Sequence, residues 1–286
     1  MNKLALPFLL VFTTLLPSVA STQETWLGMI SDAMDRKIES DRPGQALTAS
    51  TCGMMALQVQ GGFNFNQIRI SESERFDNYF SPLNLRFGLF PKLEINASFY
   101  YSASTYHWGQ FKSSFNGFPS PEIGLRYWIL RGSGWKPDLA FQSSLSFPSN
   151  KGTYTQDKAG SSFYLVSSNQ FNWFSVNTNL GIVYPGNGGG IENPRFPYVF
   201  NLGFDLGDKW SLFSEIFGDI DGSNSSINYD GGIAFNPINS LQLDLFGGYL
   251  SNYAGFTHWF IEAGISYRYS FLKESVEKEL KRLWGK

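Results

Sequence analysis

The side chains that could do chemistry in this chain are few and poorly matched to catalysis. His107 and His258 lie far apart in sequence, and Cys52 is the sole cysteine. Nucleophilic catalysis needs a Ser or Cys beside a base that a third group orients, and two histidines among many serines do not specify such a set. A zinc site needs four ligands, or three and an open position, and one Cys cannot form an internal disulfide. Asp219-Ile220-Asp221-Gly222-Ser223-Asn224 is rich in oxygen donors but lacks the spacing and terminal Glu of a calcium-binding EF-hand. It reads as a solvated turn. Gly186-Asn187-Gly188-Gly189-Gly190 lacks the Lys-Ser/Thr of a phosphate loop and reads as a flexible external loop. No catalytic residues, metal site or cofactor are expected. The remaining chemistry is a set of charges sharing one strand parity: Arg86, Glu94, Glu122, Arg126, Asp205, Glu215, Asp230, Asp244, Glu262 and Arg268.

The segment His258 to Phe271 shows what positions them. Trp259, Ile261, Ala263, Ile265, Tyr267, Tyr269 and Phe271 alternate with Phe260, Glu262, Gly264, Ser266, Arg268 and Ser270. A period of two is a β-strand. The segment is longer than the usual ~5–6 residues of a soluble strand and long enough for the ~9–11 that cross a bilayer at a tilt. One face is apolar and aromatic; the other carries a carboxylate and a guanidinium. Charged groups inside a membrane-spanning structure must face water or one another, so the pattern implies lipid on one side and a wet lumen on the other. The terminal aromatics and final Phe271 resemble the signal by which the barrel-assembly machinery recognises outer-membrane barrels.

The pattern recurs. Twelve candidate strands lie near 54–65, 80–90, 92–103, 120–130, 137–147, 161–171, 173–184, 197–206, 209–218, 226–236, 239–250 and 258–271. Leu83, Leu85, Phe87 and Leu89 share an apolar face, as do Ile123, Leu125, Tyr127 and Ile129, and Leu241, Leu243 and Leu245. Tyr164, Val166, Phe213 and Phe217 interrupt the polar face of two strands. Every second connection is short, at Pro91, Arg131 to Lys136, Asn172, Gly207-Asp208 and Pro237-Ile238. The alternate ones are longer, among them Asn66 to Tyr79 and Ser104 to Pro119. Short periplasmic turns and long external loops are the outer-membrane arrangement. Trp128, Trp135, Trp173 and Trp210 lie near the short-turn ends, and Trp108 and Trp259 near the other, the headgroup levels that Trp prefers.

The expected fold is an all-β, transmembrane, antiparallel up-and-down β-barrel of twelve strands, divided as follows. Lys3, the apolar run Leu4 to Leu16 and Ser18-Val19-Ala20 read as a secretory signal peptide over 1–20, cleaved after Ala20. Residues 21–53 form an N-terminal segment. In it Trp26, Met29, Ile30 and Met34 could line a short helix that Asp41-Arg42-Pro43-Gly44 ends. It is either a loose periplasmic leader or a piece tucked into the lumen. The barrel occupies 54–271. Residues 272–286 read as a periplasmic amphipathic helical tail, with Val276, Leu280 and Leu283 on one side and Glu274–Lys278 and Glu277–Lys281 pairs. Aromatics make up 17% of the chain while mean hydropathy is only −0.19, as for strands that are each half apolar. A net charge of −2 offers no basic footprint for nucleic acid.

Several motifs add a family resemblance. Asp41-Arg42-Pro43 is similar to an N-terminal Asp-Arg-Pro motif, and Pro121-Glu122-Ile123-Gly124-Leu125-Arg126-Tyr127 to a central strand. Asp208-Lys209-Trp210-Ser211-Leu212-Phe213-Ser214-Glu215-Ile216-Phe217-Gly218 looks like a penultimate hairpin. Asp230-Gly231-Gly232-Ile233-Ala234-Phe235, Leu241-Gln242-Leu243-Asp244 and Gly264-Ile265-Ser266-Tyr267-Arg268-Tyr269 follow in order. Together these resemble the outer-membrane transporters named after the meta-cleavage pathway of phenol degradation. The chain departs from that pattern at Gly44, where an acidic residue is expected, and after Phe271. The resemblance implies a bacterial outer-membrane channel or transporter for small solutes, small aromatic or hydrophobic compounds among them. Expected partners are outer-membrane lipid, a small-molecule solute and the barrel-assembly machinery. The ten charges then line a solute path. The alternative is a closed barrel, filled by a salt-bridged network, that presents its external loops without transport.

Overall fold

The computed structural model describes residues 36–149, 153–186, 194–222, 224–251 and 256–274. The expected signal peptide, the stretch Trp26 to Met34, most of the run Gly186–Gly190 and the tail beyond 274 lie outside the described residues. The strands are β1 (Ala56–Arg69), β2 (Glu74–Phe90), β3 (Leu93–Trp108), β4 (Phe111–Gly117), β5 (Glu122–Leu130), β6 (Asp138–Ser146) and β7 (Gly160–Gln170). They continue as β8 (Phe174–Tyr184), β9 (Arg195–Leu206), β10 (Trp210–Asp221), β11 (Asn224–Ser225), β12 (Asn228–Ile238), β13 (Leu241–Ser251) and β14 (Thr257–Ser270). Apart from β4 and β11, which flank the ring on β3 and β10, each pairs antiparallel with its neighbours in sequence. β14 pairs β1, from Ala56 opposite Ser270 to Arg69 opposite Thr257, which closes a twelve-stranded barrel. Closure leaves no open edge among the strands that carry the wall, the condition for a sheet to span a bilayer.

The barrel is apolar outside and polar inside. Leu83, Ile123, Leu125, Leu243, Leu245, Ile261 and Ile265 are exposed, whereas Gln58, Gln60, Arg86, Glu94, Arg126, Asn179, Glu215 and Ser266 are buried. In water this distribution would be unstable, because a large contiguous apolar surface drives association; in lipid it is the stable one. Trp135, Trp173 and Trp210 stand exposed at the short-turn rim and Trp108 at the other. Trp128 differs. It points inward, only 5% exposed, with the Arg36 and Arg131 guanidiniums 5.3 and 4.6 Å from its ring centre.

The external connections are also more ordered than their composition suggests. Asn66 to Tyr79 is mostly strand, since β1 and β2 stay paired out to Arg69 opposite Arg75. Within Ser104 to Pro119, β3 turns at Gly109, which has a φ of 57°, and pairs with β4 as far as Ser102 opposite Gly117. Beyond the bilayer both faces of a hairpin meet water, so the apolar–polar contrast that marks a strand fades while the backbone pairing continues.

The register makes a sharp mutational prediction. Leu243 faces outward and Asp244 inward. Leu243→Arg should cost about 2–4 kcal/mol if the residue lies near the bilayer midplane, read as a lower unfolding midpoint in phospholipid vesicles, while Asp244→Asn should still assemble. Normal folding of the first variant and failed assembly of the second would show that this strand is misregistered.

Candidate functional site

The site is the barrel interior and the segment that crosses it. Residues 36–53 precede β1 and run through the lumen without joining the sheet. Their backbone groups therefore need partners elsewhere, and the wall supplies them. Ile38 N–H donates to the Asn239 carbonyl at 2.7 Å, and Lys37 Nζ to that of Asp208 at 3.2 Å, both on short turns. Gln45 and Ala46 N–H donate to the Glu215 carboxylate at 2.6 and 3.1 Å. Leu47 N–H donates to Asn179 Oδ1 at 2.7 Å, and Asn179 Nδ2 donates back to the Leu47 carbonyl at 3.1 Å. Ala49 N–H reaches Ser168 Oγ at 3.3 Å and Cys52 N–H reaches Glu94 Oε2 at 2.7 Å. The segment is held from β1, β2, β3, β5, β7, β8, β10, β13 and β14, around most of the circumference.

Charge fixes it in two places. Asp41 sits between Arg126 Nη2 at 2.8 Å and Arg86 Nη1 at 3.3 Å. Arg86 closes the cluster with a forked pair to Glu94, 2.7 Å from Nε and 3.0 Å from Nη2, and its Nη2 also donates to the Ser50 carbonyl at 2.9 Å. Both guanidiniums and Glu94 are almost wholly buried. Burial by itself would raise the Asp41 carboxyl, but the charges of Arg126 and Arg86 outweigh it and hold the group down to about 2. Asp41 also accepts the N–H and hydroxyl of Thr48, at 2.8 and 3.0 Å, so it ties the segment into a loop of its own. On the other flank of β1 Arg42 reaches Asp244 at 2.9 Å and pairs with Glu262, which also accepts from Asn64 at 2.9 Å. Adjacent residues of one short segment thus tie strands on either side of β1, β13 and β14 on one flank and β2 and β5 on the other.

Gly44 makes the Glu215 contact possible. Its φ of 95° suits glycine, and a Cβ there would lie 2.5 Å from Glu215 Oε1. An apolar seat completes the docking: Ala49 packs with Ala140 and Val166, flanked by Leu47 and Tyr164. The inward apolar residues that interrupt the polar face of β7 are what this segment covers.

The ten charges of matched parity fall into distinct surroundings. Arg86, Glu94 and Arg126 meet in the Asp41 cluster, and Asp244 and Glu262 meet at Arg42. Glu215 and Asp230 are directly paired across β10 and β12, where Asn201 Nδ2 also donates to Glu215 at 2.7 Å. Arg268 Nε donates to the Cys52 carbonyl at 2.8 Å. Glu122 and Asp205 are not drawn into these clusters. Glu122 accepts from Ser144 at 3.2 Å, and Asp205, exposed at the short-turn rim, from Gln170 at 3.2 Å. His107 Nε2 lies 3.0 Å from Asp77, and His258 belongs to another wall of the lumen. Burial pushes the Cys52 thiol up to about 12, which keeps it protonated and inert.

Between the crossing segment and the outer mouth lies a cavity of 560 Å³. Ile68, Phe80, Phe217, Leu250 and Phe260 give it apolar walls, while Asn64, Asn66 and Asn78 add amides and Gln45 contributes from the segment.

The barrel with its internal segment has the architecture of bacterial outer-membrane β-barrels. No family model matches the chain, and no curated protein sequence does so. Among solved structures, an outer-membrane channel from Pseudomonas putida F1 superimposes with a TM-score of 0.60 at 11% identity, covering 80% of this chain and 99% of that one. The transport unit of the autotransporter AIDA-I from Escherichia coli gives a TM-score of 0.50 at 12% identity, covering 85% and 97%. At such identities the likeness is one of fold.

Proposed function

We propose that the protein is a passive outer-membrane channel for small solutes, closed at its periplasmic half by residues 36–53, and that it belongs with the transporters named after the meta-cleavage pathway of phenol degradation. The observation that carries this reading is the division of the lumen. A hydrogen-bonded segment crosses its lower part, while a 560 Å³ cavity stays open above it. A barrel whose interior served only as a core would fill that space, since about eight strands suffice for a filled interior. The apolar walls of the cavity, with a few amides to orient a polar substituent, suit small aromatic or hydrophobic compounds. In this account the chain is exported by cleavage after Ala20, assembled through the strand ending at Phe271, and lined along its open part by Glu262 and Glu122, with Asp205 at the short-turn rim.

A closed barrel without transport is the second reading. The many ties between segment and wall favour it, and conductance separates the two. Arg42, Arg86 and Arg126 are occupied by carboxylates, whereas Glu122 and Asp205 face no guanidinium within ion-pair distance among the described residues. Uncompensated negative charge along a narrow pore attracts cations. Reversal potentials across a salt gradient in a planar bilayer should therefore show cation preference, weakening as salt screens the lumen. Neutralising Glu122 and Asp205 together should reduce it. Absence of conductance under every condition would support the closed barrel, and anion preference would contradict the assigned lining.

A further inference from the structure

A second cavity, of 450 Å³, opens into the outer lumen against the wall from β3 to β9. Its chemistry contrasts with that of the first. Hydroxyls line it, Ser120, Ser144 and Ser162 among them, and Thr153 to Gln156, between β6 and β7, form one side of it. Tyr154 pins that connection: its hydroxyl shares a hydrogen bond with Ser102 Oγ at 2.7 Å, and its ring lies 6.2 Å from that of Phe115. The cavity is a built recess with one wall supplied by a loop.

Two opposite charges face it from separate walls. Glu122, on β5, has one oxygen engaged by Ser144 and no ion pair among the described residues. Among the described residues Arg195, at the start of β9, has only a distant partner, Asp219 at 3.7 Å from Nη1, and its Nε is shielded from solvent without a hydrogen bond. Ser120, 7% exposed, likewise holds a buried hydroxyl with no partner. Buried polar groups are normally satisfied, so these orphans mark a place for a polar occupant. A lone anion would leave Glu122 uncompensated across the cavity, and a lone cation would leave Arg195 with only its 3.7 Å partner Asp219. β5 and β9 are four strand steps apart around the ring. Both charges can therefore be met only by a ligand with its own charges held apart.

The geometry points to a binding site for a small zwitterion, its ammonium toward Glu122 and its carboxylate toward Arg195, with a short carbon chain between them. The site lies on the path of the proposed channel, yet its test reads binding rather than flux and is independent of conduction. Titration calorimetry on the refolded barrel in detergent should show heat of binding for 4-aminobutanoate. Butanoate and butylammonium should each bind at least about tenfold more weakly, since each forgoes one charge-assisted contact. Glu122→Gln should abolish the advantage of the zwitterion over butanoate, and Arg195→Gln its advantage over butylammonium. Both variants should keep the wild-type shift in gel mobility on boiling, which reports an assembled barrel. Binding of glucose in place of 4-aminobutanoate would overturn the assignment in favour of a polyol site. Silence with every probe, or zwitterion binding unchanged in both variants, would overturn it outright.

Discussion

A chain lacking residues 22–48 should form channels of severalfold higher conductance than the full chain, with less frequent closure. The segment contributes Arg42, which joins β13 and β14, and Asp41, which joins β2 and β5. Its backbone fills the space between, from Glu215 to Asn179. A twelve-stranded ring lies between the eight strands whose interior side chains fill and the sixteen or more that leave a wide aqueous channel. The contents of such a lumen decide its permeability. Removing the segment leaves Arg86 and Arg126 without Asp41, but it also leaves Asp244 and Glu262 without Arg42. Among the described residues it takes away Arg36, Lys37 and Arg42 against Glu39 and Asp41, so the exposed lumen becomes more negative and cation preference should rise with conductance. An unchanged conductance in planar bilayers would mean that the segment does not obstruct the path.

The largest effect on stability is expected at Arg86. Its guanidinium is 0% exposed and serves Glu94, Asp41 and the carbonyls of Glu39 and Ser50 together. Arg86→Met strands the buried Glu94, whose nearest remaining cation, Arg126, stands 3.9 Å away, while Asp41 keeps Arg126 at 2.8 Å. Breaking a buried pair by removing one member costs about 3–5 kcal/mol, chiefly the penalty of the charge left behind. Urea unfolding in phospholipid vesicles should show that loss. Arg86→Met with Glu94→Gln should recover much of it, because the orphaned charge goes too. Equal stability of the single and double variants would show that Arg86 and Glu94 are not coupled.

Most of the fold is legible in the sequence because lipid imposes a simple rule on each strand. Leu243 and Leu245 must face out, so Asp244 between them faces in, and twelve such segments with short and long connections in turn specify the ring. Register at the outer hairpins is less legible, since Asn66 opposite Asn78 and Gln67 opposite Asp77 meet water on both sides and lose the contrast. The crossing segment was harder still, as its conformation is dictated by partners distant in sequence. Its traces are nonetheless there. Tyr164 and Val166 put apolar groups where a wet lumen does not want them, and something has to cover them; Leu47 and Ala49 do so. Asp41 and Arg42 stand side by side with opposite charge, and each finds its complement on a different wall. Strand parity names Arg86 and Glu262 but not these partners, because parity carries no information about a segment outside the sheet. Trp128 shows the limit from the other direction: its place near a short turn suggests the headgroup belt, yet its even position beside Arg126 turns it inward under Arg36.

The most direct test of a channel closed by its own N-terminal segment is to lock that segment in place. Ser40 Oγ and Ser266 Oγ are 2.8 Å apart and both buried, one on the segment and the other on β14. With Cys52 replaced by Ala, Ser40→Cys and Ser266→Cys place two thiols at that contact, and the barrel can be reconstituted in liposomes loaded with a small fluorescent cation. Efflux should fall to the lipid background when the pair is oxidised and return on adding a reductant, with no response in either single-cysteine variant. Equal efflux in the oxidised and reduced states, with the crosslink confirmed by mass, would contradict the account.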